Sequence, residues 1–419
     1  MADAGAAAGA AVPLAPTLAS AANRRDAQVE SGKSKPRVVV VGSGAFGGWT
    51  ALHLASLGAQ VDLIDAWGPG NPRSSSGGET RVIRAIYGPD RIYVEMVKRA
   101  YELWEAMAAG SGEPLYTATG ALWMHRKDDA YVRSSIGILR ELGFPVDKLT
   151  IDDAKTRYPQ IDFRGVHSVW FEQRAGALSA RLACSVVHGA FQKAGGTYRQ
   201  ARVKPGAIVS GTMKEIQLDD GSRIEADAFV FACGPWLGKL FPEVIGDRIR
   251  PTRQEVYYFG TPAGSQRYLP AHFPIWIDFG ERIFYGIPDT HSRGIKIADD
   301  TRGEPIDPTS ANRAPTAAGI ARARAVIAER FPELAKAPLV AAEVCQYENS
   351  PDGHLIIDRH PEAANVWLAG GGSGHGFKLS PAVGEMTAQA IVNGKKLPEL
   401  FRLDRLRDDL HRKTQFENK

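Results

Sequence analysis

Apolar positions along this chain fall into three patterns, and each predicts a different element. Short unbroken apolar runs at 38–41, 228–232 and 366–369 read as strands buried on both faces. Helical spacing marks 91–108, where Tyr93, Met96, Val97, Ala100, Tyr101 and Trp104 share a face. It also marks 130–142, closed by Gly143, 179–194 and 317–331. Polar–apolar alternation at 255–259, 275–278, 282–286 and 294–297 predicts an antiparallel sheet. Residues 115–125 read as one strand, and 196–209, 215–218 and 223–224 as short strands around the Asp220-Gly221 turn.

The first apolar run leads straight into candidate chemistry. Val38–Val41 precedes Gly42-Ser43-Gly44-Ala45-Phe46-Gly47-Gly48, then a helix over 45–57, Gly58 as its stop, and a second strand ending at Asp65. Gly42 and Gly44 let backbone approach a pyrophosphate, and Gly47 lets helix and strand pack closely. The helix N-terminus faces the phosphates, and Asp65, 23 residues after Gly42, stands where a carboxylate takes ribose hydroxyls. This is a dinucleotide-binding βαβ unit. A second glycine-rich turn, Gly370–Gly376 with His375 inside it, follows the last strand and precedes a helix over 381–392.

The elements imply a mixed α/β fold: a Rossmann-like nucleotide domain with an antiparallel-sheet substrate domain, both discontinuous. The expected nucleotide domain comprises 36–110, 175–250 and 338–400, and the substrate domain 111–174 and 251–337. Residues 1–35 are expected to be a disordered leader and 401–419 a solvated tail.

Composition narrows the function by exclusion. With 419 residues the chain exceeds one typical domain, and a formal charge of +4 spread along it gives no footprint for nucleic acid. Cys184, Cys233 and Cys345 are too few and too scattered for a disulfide framework or a metal site. No apolar run is long enough to span a membrane. An apolar stretch before Ala19-Ser20-Ala21 has some look of a signal, but Asp3 precedes it and Arg24-Arg25 follow it. Cytoplasmic placement is therefore expected, with export as the alternative.

Three C-terminal motifs complete the picture: Cys345-Gln-Tyr347-Glu-Asn-Ser-Pro351-Asp352-Gly353-His354, then Ile356-Ile-Asp358, then Ser373-Gly374-His375-Gly376-Phe-Lys378. With Gly42–Gly48 they resemble the monomeric sarcosine oxidase and N-methyltryptophan oxidase group of the D-amino-acid-oxidase-like flavoenzymes, over about residues 36–400. The resemblance implies an FAD-dependent oxidase of a secondary amine or N-alkyl amino acid, expected to act as a monomer. A hydride passes to flavin N5, the imine hydrolyses, and dioxygen leaves as peroxide.

It also implies roles. Cys345 matches the cysteine that tethers the flavin 8α-methyl. Arg81 matches an arginine close to the flavin, Arg84 and Lys378 the pair holding a substrate carboxylate, which a guanidinium fork and an ammonium suit. Lys296 matches the lysine that activates dioxygen, since a cation stabilises charge developing there. Tyr285, eleven residues before it, matches the active-site tyrosine. Thr80, Val203, Gly374, His375 and Gly376 join the implied cofactor contacts, with His375 structural more than a general base.

Two positions depart from the pattern. Gly77 and Asp300 stand where sarcosine oxidases carry histidines. Loss of one imidazole predicts extra room, and Asp300 predicts a negative charge facing a substrate amine or Lys296, so a larger substrate than sarcosine is expected. The rivals are a same-fold dehydrogenase, an enzyme of a hydroxy acid or sugar, and a catalytically silent binding protein.

Overall fold

A computed structural model describes residues 35–406; the leader, its signal alternative and the tail beyond 406 lie outside them. Strand Arg37–Val41, with Val38–Val40 fully buried, pairs in parallel with Gln60–Asp65 on one side and Ala228–Phe231 on the other. Thr197–Gln200 extends the sheet beyond Gln60–Asp65, and Ala363–Gly370 extends it beyond Ala228–Phe231, both parallel. Only the outer strand, Ile356–His360, is antiparallel. One sheet is thus assembled from four distant parts of the chain, and helices Ala45–Ser56, Ala180–Lys193 and Gly376–Asn393 pack together against it.

The second sheet has eight strands in the order Leu339–Asn349, Arg250–Phe259, Ile295–Asp299, Ile283–Ile287, Ile275–Phe279, Ala121–His125, Ser168–Glu172 and Val146–Leu149. It is antiparallel except where Ile275–Phe279 meets Ala121–His125. Residues 338–349, assigned on sequence to the nucleotide domain, form the edge of this sheet instead, because they pair along almost the full length of Arg250–Phe259. That strand carries Cys345 opposite Gln254.

Three other expectations need correction. The single strand over 115–125 is two, Tyr116–Ala118 and Ala121–His125, in different sheets. The break is Gly120, at φ +68°, where a side chain would enter the Phe171 ring. The last long helix is Gly376–Asn393 and not 381–392; Pro381 lies inside it, so proline did not mark the first turn. The start of the tail is docked, with Phe401 buried and Arg405 donating to both oxygens of Asp352 at 2.8 and 3.2 Å.

Candidate active site

The glycine loop after the first strand has no room for side chains where it meets the sheet. Gly42, at φ +103°, donates its amide to the Ile64 carbonyl at 2.7 Å, and a Cβ there would strike the Ala232 carbonyl. A Cβ on Gly47 would strike the carbonyl of Gly42. Gly44 instead faces a cavity of about 320 Å³ that is also lined by Gly42, Ala45, Phe46, Asp65, Arg81, Val203, Gly374 and Gly376. At the helix N-terminus, Ala45 N donates to Ser76 Oγ at 3.0 Å. The Asp65 carboxylate lines the cavity while accepting the amides of Ser43, Trp67 and Gly68 at 2.7–2.8 Å. Ser43 Oγ is buried without a hydrogen-bond partner among the described residues.

A second cavity, of about 650 Å³, adjoins the first, with Arg81 and Tyr347 on the walls of both. Tyr285, Lys296 and Cys345 line it. The Arg81 guanidinium donates to the carbonyls of Thr80 (2.7 Å) and Ser75 (2.5 Å) and to Cys345 Sγ (3.4 Å). Lys296 Nζ donates to the same Thr80 carbonyl at 2.9 Å. Burial, and then the neighbouring Arg81 charge, lower its pKa to about 7. Burial raises the Tyr285 phenol above its ordinary range.

Behind Arg81 the chain gathers charge around Tyr87. Arg84 stacks over the rings of Tyr87 and Trp123, and Lys378 Nζ stands 5.3 Å from the centre of the same Tyr87 ring. Burial, then Arg84, hold the Lys378 pKa well below that of a free lysine. Asp300 accepts a hydrogen bond from Tyr347 Oη at 2.7 Å. Burial raises its carboxyl to about 6 against the pull of that bond, Arg84 and Lys378. His375 Nε2 meets the Gly353 carbonyl at 2.9 Å, which makes it the protonated nitrogen, and Nδ1 accepts from Tyr87 Oη at 3.1 Å. Both ring nitrogens are therefore committed.

At position 77 the backbone is closely packed. Gly77 lies under the Asn71–Pro72 turn, where a Cβ would strike the Asn71 carbonyl, and its own carbonyl is gripped by Arg181 Nε and Nη2 at 3.0 and 2.8 Å. Gly77 lies on the wall of the second cavity, with its Cβ direction taken up by close backbone packing.

The family model for FAD dependent oxidoreductases, DAO, matches residues 37–390. The chain belongs to this family. It is similar to monomeric sarcosine oxidase of Bacillus sp. (strain B-0618), 33% identical over 368 residues, covering 85% of this chain and 92% of that protein. N-methyl-L-tryptophan oxidase of Salmonella arizonae is 28% identical over 381 residues, covering 88% and 98%. The solved L-proline dehydrogenase from P. horikoshii shares the fold at TM-score 0.75 and 24% identity, covering 88% of this chain and 95% of that one.

The residues of this FAD-dependent oxidoreductase fit the cofactor. A loop with no room for side chains at Gly42, a helix N-terminus and the Asp65 carboxylate meet in one cavity, as a dinucleotide requires. Of the residues singled out on sequence, Ser43 and Gly47 form the back of the loop. Thr80 joins Arg81 to Lys296, and His375 and Lys378 are buried around Tyr87. Four neighbours were missed. Tyr347 lay inside a quoted motif, and Ser76 and Tyr87 gave no signal. Glu172 ends the apolar run Ser168–Glu172, and a carboxylate in such a strand is a usable signal. It is fully buried beside Arg84, accepts from Trp123 Nε1 at 3.3 Å, and burial raises it to about 7.

Proposed function

We propose that this protein is an oxidase of a secondary amine or N-alkyl amino acid that yields an imine and passes electrons to dioxygen. FAD supplies the two-electron acceptor, covalently held through Cys345. One observation carries the reading: Arg84, Lys378 and Asp300 converge within reach of Tyr87 and Tyr347, while Arg81, Cys345 and Lys296 share the adjoining cavity.

Each group has a task that its chemistry suits. Arg84 and Lys378 hold the substrate carboxylate, and Glu172 keeps the Arg84 guanidinium in place. Asp300 faces the amine, and Tyr285 and Tyr347 fix the orientation of the reacting carbon. Lys296 and Arg81 provide fixed positive charge where dioxygen takes up electrons. All of these groups come from one chain, which supports a monomeric catalytic unit. No helix among the described residues is long and apolar enough to cross a membrane; we place the enzyme in the cytoplasm.

The test is a peroxide-release screen of the purified protein against N-methyl amino acids, cyclic imino acids, primary amines and 2-hydroxy acids. Turnover confined to the first two classes supports the reading. Turnover of hydroxy acids alone overturns it.

A further inference from the structure

Glu348, three residues beyond Cys345, lies on the wall of the smaller cavity and is 9% exposed. Its Oε1 accepts the Gly372 amide at 3.2 Å, and its Oε2 has no partner among the described residues. Three glycines make room for this carboxyl: a Cβ on Gly234 would approach Oε2 to 3.2 Å, one on Gly370 to 3.7 Å, and one on Gly372 would press on Oε1 at 2.8 Å. Gly234 lies two residues after Ala232, the residue against which Gly42 is packed, and the carboxyl borders the same cavity as the phosphate-cradling loop.

No cation is paired with it among the described residues. Arg81, Arg202 and Lys239 are the cavity's cations, and none forms an ion pair or hydrogen bond with Glu348 among the described residues. The other acidic groups on the wall are Asp65 and Cys233, and Tyr347 is the one phenol. The opposite strand presents Pro251, and the 370–374 turn carries no titratable side chain. An ionised carboxylate here would face an anionic pyrophosphate with nothing to offset it, whereas a neutral acid offers a donor.

We propose that Glu348 is a cofactor-binding residue that works as a neutral acid, donating a hydrogen bond to the ribityl or phosphate oxygens of FAD. Burial raises its carboxyl to about 7, in keeping with that role. The proposal rests on the FAD reading of the cavity. Because the cofactor selects the protonated form, its affinity is highest below the free-protein pKa and falls up to about tenfold per pH unit above it.

The experiment uses Cys345→Ala, in which FAD is exchangeable, and measures the dissociation constant by flavin fluorescence from about pH 6 to about pH 9. Weakening across that range by about tenfold or more is expected. Glu348→Gln, which keeps a donor, should bind with the low-pH affinity throughout, and Glu348→Ala should bind weakly throughout. A pH-independent constant in the Cys345→Ala protein, or Glu348→Ala binding as tightly as its parent, overturns the proposal while leaving the FAD reading intact. A Cys345→Ala protein that binds no FAD at any pH overturns both.

Discussion

Arg81 Nη2 lies 3.4 Å from Cys345 Sγ, joining residues 264 positions apart in the chain. Both residues line the second cavity, where the flavin tether is proposed. Acid-precipitated protein should therefore stay yellow and run as a fluorescent band on a denaturing gel. Cys345→Ser should release all flavin to the supernatant. A white wild-type pellet would remove the tether.

The carboxylate clamp is expected to act on substrate binding more than on kcat. Arg84→Met and Lys378→Met each delete one charge-assisted contact, so KM for a carboxylate substrate should rise roughly ten- to hundredfold. Glu172→Gln should raise KM less, since it leaves Arg84 charged. Unchanged KM in all three would show that the substrate carboxylate sits elsewhere.

The proposed role of Lys296 is that of a cation, and its pKa is lowered to about 7 by burial and by Arg81. The charged form exists below that pKa, so the rate constant for reoxidation by dioxygen should decline as pH rises through the value it has in the reduced enzyme. Lys296→Met should flatten this profile and slow reoxidation far more than reduction by substrate. Equal slowing of both half-reactions in stopped flow would make the lysine structural.

Glycine positions separate packing from tolerance. Gly77→Ala drives a Cβ into the Asn71 carbonyl and should destabilise by about 1–3 kcal/mol or more. Gly137 lies inside helix Ala130–Leu142, where a Cβ would meet nothing within 4 Å, and its substitution by alanine should stabilise by about 0.5–1 kcal/mol. Thermal melts of the two variants check both; a neutral Gly77→Ala would mean that the Asn71–Pro72 turn yields.

Much of the fold was legible because local patterns and tertiary demands agree. The βαβ unit at 37–65 needs only strand, glycines, helix and acid in order, and all are local. The misreadings occurred where long-range pairing decides. Leu339–Asn349 has a burial pattern that serves either sheet, and only its pairing with Arg250–Phe259 places it. Arg81, Lys296 and Cys345, named through motifs, come together on one cavity wall. At Gly77 the sequence shows only that a side chain is absent, and the packing against Asn71 is a tertiary fact. Glu172 was legible only as a carboxylate at the end of an apolar strand, and Glu348 gave no signal, because its burial is set by the distant glycines Gly234, Gly370 and Gly372.

Asp300 makes the substrate choice testable. Its carboxyl is raised to about 6, first by burial, and feels the charges of Arg84 and Lys378. Asp300→Asn should lower kcat/KM for cyclic or otherwise bulkier secondary amines by about tenfold and leave sarcosine less affected. Sarcosine as the best substrate of the unmodified protein would contradict this.

The most direct measurement is anaerobic titration of the yellow protein with an N-alkyl amino acid and, separately, with a 2-hydroxy acid, followed by admission of air. Bleaching of the flavin band by the amine alone, with full recovery and equimolar hydrogen peroxide on aeration, is the expected result. Bleaching by the hydroxy acid alone, or a reduced flavin that air does not reoxidise, would contradict an amine oxidase.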